Sequence, residues 1–173
     1  MLIKRPDQSE FAPFYAGYVG KVPDSGPAPL MKDQIGELEK LRSLPEDRAH
    51  HAYAAGKWTV KELIGHLSDA ERVFSYRLVR IARGDKTPLS GFDENAWAKA
   101  APHGKRKMVD VIDEMIAVRR ATLTLVDSLD ESTMSNVGLA NNNSVSARAI
   151  CWIMAGHMQH HLDILREKYG VAP

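Results

Sequence analysis

The chain has 173 residues, a formal net charge of +1 and a single cysteine. That length suits one domain with a core of its own, and the near-balanced charge gives no electrostatic case for nucleic acid or an anionic membrane as a partner. No apolar run approaches the roughly 20 residues of a membrane span, the first ten residues are polar rather than leader-like, and Cys151 cannot form an internal disulfide, so a reducing, cytoplasmic location is expected.

Residues 1–29 carry five prolines, which oppose a long helix, and four aromatics, Phe11, Phe14, Tyr15 and Tyr18, which suit a strap lying across a core. A short helix fits within 11–19. The first bundle helix is expected over 30–43, with Leu30, Ile35, Leu38 and Leu41 on one side and Leu44-Pro45 as its stop. After a polar connection holding His50 and His51, Thr59 and Glu62 form a capping box that starts the second helix. Leu63, Leu67, Ala70, Phe74, Leu78 and Ile81 follow at helical spacing until Gly84-Asp85.

Residues 85–104 form a long connection with Pro88, Gly91, Pro102 and Gly104, and a short helix fits around 94–100. The third helix is expected over 105–128, with Val109, Ile112, Ile116, Leu123 and Val126 on its face. Asn141-Asn142-Asn143-Ser144 reads as a turn and helix start, and the fourth helix is expected over 144–169, ending at Gly170. Cys151 lies in an apolar stretch of that helix, which suits an inert thiol. Strand-like alternation is absent. The expectation is an all-α fold, a four-helix bundle forming one domain over 1–173 with residues 1–29 as an N-terminal strap.

Three histidines stand within five residues of the last helix. Residues i and i+4, or i and i+3, share a helix face, so His157 can pair with His161 or with His160. A third ligand for a metal ion is available as His66, at the edge of the apolar stripe of the second helix. Bundles build metal sites from such inward side chains, and three imidazoles leave an open position on zinc or a similar divalent ion. The alternative is that these are core histidines satisfied by hydrogen bonds. A zinc-protease helix needs glutamate directly after its first histidine, and Met158 stands there. Asp69, three residues after His66, either holds the second imidazole nitrogen of a ligand or is a solvated charge.

Trp58-Thr59-Val60-Lys61-Glu62-Leu63-Ile64-Gly65-His66-Leu67, with Asp69, Glu71 and Arg72, resembles the tryptophan–helix–histidine segment of the DinB-like superfamily. Ala155 to His161 resembles its C-terminal histidine pair. Arg80 to Asp85, Gly91 to Glu94 and Val118 to Thr122 resemble one branch of it, and the likeness covers nearly the whole chain. The resemblance implies up-down-down-up topology, commonly a homodimer, and a divalent zinc or nickel ion held by three histidines. The ligand positions fall on His66, His157 and His161, with His160 as a neighbour of the site. It also implies hydrolysis by activated water, or transfer and isomerisation with low-molecular-weight thiols. A non-catalytic, metal-stabilised stress or partner-binding bundle is the reading from another class.

Two arginines fall on apolar stripes, Arg77 on the second helix and Arg119 on the third. Buried arginines are rare unless paired. Each either holds an anionic substrate or thiol group beside the metal, or pairs with Asp69, Glu71, Asp113 or Glu114, or sits at a dimer interface; a structural role of the latter kind is the favoured expectation. Trp97, with Phe92 and Trp58, either lines a pocket mouth or packs in the core, core packing being favoured for Trp58. His103, between Pro102 and Gly104, is expected to be a solvated loop residue.

Overall fold

The computed structural model describes residues 2–171. Seven helices follow in chain order: α1 (Ala16–Gly20), α2 (Pro27–Lys40), α3 (Glu46–Ala49), α4 (Val60–Ala82), α5 (Glu94–Ala100), α6 (Met108–Asp127) and α7 (Ala147–Tyr169). Between α6 and α7 lies a two-stranded antiparallel hairpin, β1 (Val137–Ala140) and β2 (Asn143–Ser146). Among the described residues, no helix is long and apolar enough to cross a membrane.

Local chemistry explains most boundaries. Spacing predicts a start at 30 for the first bundle helix, but α2 begins at Pro27, behind Gly26 at φ +91°. Proline lacks only an amide hydrogen that the first turn would leave unbonded anyway, so it opens a helix as readily as it breaks one. The Thr59 hydroxyl accepts from the Glu62 amide, and the Glu62 carboxylate accepts from the Thr59 amide at 2.7 Å, which caps α4. Gly170, in the left-handed region, ends α7.

The hairpin corrects the strand-free expectation. Asn141 and Asn142 both have positive φ, 48° and 60°, as the tight turns that suit hairpin twist require. Residues 143–146 are therefore strand, and the last helix begins at Ala147 rather than 144, capped by the Ser146 hydroxyl. Leu89 bonds both Leu139 and Asn141, tying the connection after α4 to the hairpin.

α4 packs against α6 and α7, and α2 packs against the same two helices. Side-chain pairings fix the directions. Ser68 meets Met115 and Ser75 meets Thr122, so α4 and α6 run parallel. The Tyr169 hydroxyl reaches the Trp58 carbonyl and His66 meets His157, so α4 and α7 are antiparallel. Gln34 contacts Ala155 and Glu37 contacts Arg166, so α2 and α7 rise together. The result is a four-helix bundle of up-down-down-up topology. Two consecutive descending helices force the chain to climb the bundle's full height between them, which is why residues 83–107 are so long a connection.

The buried side chains form two apolar clusters. One holds Phe74, Leu78, Ile81, Trp152 and Met154, and the other Leu63, Leu67, Ile112, Met158 and Leu162. A polar layer lies between them, with Gln34 from α2, Glu71 from α4, Arg119 from α6 and His157 from α7 all buried. The N-terminal segment crosses the upper cluster: Trp152 donates to the Ile3 carbonyl, and the Arg5 guanidinium stacks 4.4 Å above the Trp152 ring. Gly156 lets this segment close in, because a Cβ there would strike the Tyr18 backbone.

Candidate metal centre

The antiparallel contact of α4 with α7 brings His66 opposite His157 and His161, which stand one turn apart. Nε2 of His157 lies 3.2 Å from Nε2 of His66 and 3.2 Å from Nε2 of His161. One nitrogen from each ring falls within 4.8 Å of the others. All three residues are buried.

Burial holds His66 well below the usual histidine range, at about 4. His157 and His161 are also pushed far down, by burial first and then by the neighbouring imidazoles. All three are therefore neutral near pH 7, the form in which histidine donates a lone pair to a metal. Hydrogen bonding alone serves the cluster poorly. Nε2 of His157 faces two other Nε2 atoms and carries either one hydrogen or one lone pair, and Nδ1 of His161 is buried without a partner. Two imidazole nitrogens on one tetrahedral zinc ion stand about 3.4 Å apart, close to both separations here. The donor set fits a divalent cation.

Aromatic rings wall the cluster. Trp58 lies 4.7 Å from His66, Tyr18 5.3 Å from His157, and Phe74 5.8 Å from His157. Core packing alone does not describe Trp58, which covers one of the three histidines. Tyr18 reaches His157 because Gly156, the residue before it, admits the strap backbone; a glycine adjoining a candidate ligand was the available signal. Beside them is a cavity of about 290 Å³ whose lining includes His66, His157, Tyr15, Tyr18, Arg77 and Glu94. Part of the long connection, Gly91, Phe92 and Glu94, forms another wall.

The other candidates separate. His160 is half-buried against Tyr18 and outside the converging set. Asp69 touches no imidazole of the cluster. It lies 3.6 Å from Arg72 and 3.7 Å from His103, because three residues along a helix rotate a side chain about 60° away from His66. His103 is buried rather than solvated: its ring packs on α4 where Gly65 offers no Cβ. Arg119 is paired as expected, with Glu71 at 2.6 Å and Gln34 at 2.9 Å. Arg77 is not paired. It donates to the Ser90 carbonyl at 2.8 Å and borders the cavity. Trp97 is 45% exposed, packs at a tilt against Phe92 with ring centroids 4.8 Å apart and lines an outer groove rather than the cavity beside the histidines. Burial pushes the Cys151 thiol up to about 12, which leaves it inert.

A family model described as the DinB superfamily matches residues 34–165. The Oceanobacillus iheyensis protein OB0413, named as a candidate metal-dependent hydrolase, is 26% identical over 130 residues, 72% of each chain. Among solved structures, YfiT from Bacillus subtilis, described as a candidate metal-dependent hydrolase with an unusual four-helix bundle topology, superposes with a TM-score of 0.73 at 12% identity, covering 99% of this chain and all of that one. The mycothiol-dependent maleylpyruvate isomerase superposes at 0.66 and 15% identity, over 84% of this chain and 62% of its own.

Proposed function

The chain belongs to the DinB superfamily, and from that membership and the histidine cluster we propose that it is a metal-dependent enzyme acting on a small molecule. The observation that carries this reading is the convergence of three Nε2 atoms from two helices. His66, His157 and His161 would hold a divalent ion, zinc or nickel being the borderline metals that neutral imidazoles suit. When bound, such an ion acts as a Lewis acid and lowers the pKa of a water or thiol that reaches it, supporting hydrolysis.

The chain's own residues supply the rest. Buried, neutral imidazoles keep their lone pairs free near pH 7. Trp58, Tyr18 and Phe74 fix the ring planes and exclude bulk water from three sides. The cavity beside His66 and His157 admits a small ligand, with the Tyr15 and Tyr18 hydroxyls and the Glu94 carboxylate on its wall.

Thiol transfer is the second reading. It is favoured by the absence, among the described residues, of any carboxylate in the converging set that could act as a base for water. The thiol dependence named for the isomerase of like fold is in keeping with it. Metal analysis of protein made without a histidine tag, repeated on His157→Ala, tests the centre itself. The expected result is about one divalent ion per chain, lost in the variant; full metal content in a folded His157→Ala protein refutes it.

A further inference from the structure

Arg77 is 4% exposed, yet no acidic side chain among the described residues neutralises it. The four carboxylates that the sequence offers as partners are engaged elsewhere. Asp69 faces Arg72 and His103, Glu71 holds Arg119, Asp113 pairs with Arg42, and Glu114 joins Arg72 to Arg106. Among the described residues, no carboxylate lies within ion-pair distance of Arg77. Its Nε is buried and makes no hydrogen bond. Its one hydrogen bond to the connection is to the Ser90 carbonyl, and its Cζ lies 5.8 Å from the Phe74 ring.

A guanidinium presents five donors and keeps its charge at any physiological pH. Burying one without an anion is costly, and a protein keeps such a group where something else supplies the anion. Arg77 stands on the wall of the same cavity as His66 and His157. Phe74, 5.8 Å from the Arg77 guanidinium, is also 5.8 Å from the His157 ring, so the charge and the histidines flank one aromatic floor. Phe14, Phe92 and the ring faces of Tyr15 and Tyr18 supply aromatic walls, the neutral Tyr15 hydroxyl lies beside Arg77, and the carboxylate of the lining, Glu94, is solvent-exposed. The cavity thus offers a buried cation at one place, neutral metal-ligating nitrogens at another, and aromatic surface between.

We propose that this cavity binds a small molecule bearing a carboxylate, which Arg77 receives, so that the rest of the molecule is directed along Phe74 towards the histidines. The inference rests on the proposed function only for what happens at the far end of the ligand. Arg77 acts here as a specificity-determining residue. The carboxylate belongs either to a substrate or to a carboxylate-bearing thiol co-substrate, the chemistry at Arg77 being the same.

Calorimetric titration of the metal-loaded protein with phenylacetate, and with phenylacetamide as its uncharged isostere, tests this. The acid is expected to bind roughly 10- to 100-fold tighter than the amide, the range of a charge-assisted hydrogen-bonded pair. Arg77→Met should erase that preference and Arg77→Lys should keep part of it. Equal affinity for acid and amide in the unaltered protein overturns the proposal, whether or not Arg77→Met folds. So does an undiminished preference in folded Arg77→Met. His157→Ala, freed of metal, separates the two claims. A preference that survives there places the anion site on Arg77 independently of the metal. A preference lost there but intact in Arg77→Met assigns the carboxylate to the metal, which overturns this proposal and leaves the metal centre standing. N-acetylcysteine measured against N-acetylalanine identifies the source. A gain from sulfur that disappears in Arg77→Met marks a thiol co-substrate; no gain, with phenylacetate binding retained, marks a substrate carboxylate.

Discussion

Arg119 and Arg77 both project from the middle of long helices into the bundle, and the fold treats them in opposite ways. Arg119 is completely buried in a sealed polar layer, where Glu71 and Gln34 accept from its two terminal nitrogens and only Nε is left unbonded. Arg77 is almost as buried but faces a cavity, with one backbone carbonyl and, among the described residues, no carboxylate within ion-pair distance. Both occupy stripe positions that helical spacing assigns to the core. Burial alone therefore does not make a charged residue structural. A charge whose partners are all internal holds the bundle together, and one whose partners are missing points outward to a ligand.

Removing Arg119 is the strongest way to test that distinction. Arg119→Met leaves the Glu71 carboxylate buried and unpaired, and its cost should be about 3–5 kcal/mol in denaturant unfolding. Replacing both partners, as Arg119→Met with Glu71→Leu, should recover most of the loss, since a desolvated pair and an apolar pair of like volume are close in energy. A double variant as unstable as the single one would show that the pair is not the unit that matters.

Arg77→Met should change stability far less, by no more than about 1 kcal/mol in either direction, because the lost hydrogen bond to Ser90 is offset by relief of an unpaired buried charge and no carboxylate is stranded. A loss comparable to that of Arg119→Met would place Arg77 among the structural residues and dissolve the contrast. Measuring both variants at one pH and one salt concentration makes the comparison direct.

The sequence carried the bundle well and the site in part, for reasons that differ by residue. Thr59 and Glu62 mark the start of α4 because capping is a matter of three residues. The face shared by His157 and His161 follows from their spacing of four, and their meeting with His66 is a tertiary fact: periodicity put His66 at the edge of an inward stripe, and the resemblance made it the third ligand position. Asp69 could be read either way, and the structure turns it from the cluster because proximity in sequence to His66 is not proximity in direction. His103 could not be read as buried, since its place depends on a missing Cβ at Gly65, far away along the chain. The hairpin escaped notice because four-residue strands are too short to show alternation, and Asn141-Asn142 serves equally as a helix-start signal. Which of the two arginines is paired depends on which carboxylates are already taken, and no local pattern records that.

A third arginine calibrates the other two. Arg148 on α7 is a quarter exposed and binds Glu10 of the N-terminal strap, whose carboxylate also accepts from Ser146 at 2.6 Å. Partial burial pushes the Glu10 carboxyl up, but the hydrogen bonds from Arg148 and Ser146 outweigh it and bring it from 4.5 down to about 2. A carboxyl whose pKa falls on folding stabilises the folded state fully above its unfolded value. That contribution drains away as pH drops from 4.5 through about 2, because the folded state then holds no advantage in ionisation. Glu10→Gln should therefore be less stable than the unaltered chain at pH 6, and the gap should close over that acid window. Since the pair reaches solvent, the gap should be the smallest of the three effects and should shrink further in 1 M salt, which screens exposed charges and leaves the sealed Arg119 pair nearly untouched. A gap between Glu10→Gln and the unaltered chain that ignored both pH and salt would mean that Glu10 fastens the strap by shape rather than charge, and the ordering of the three arginines by solvent access would fail.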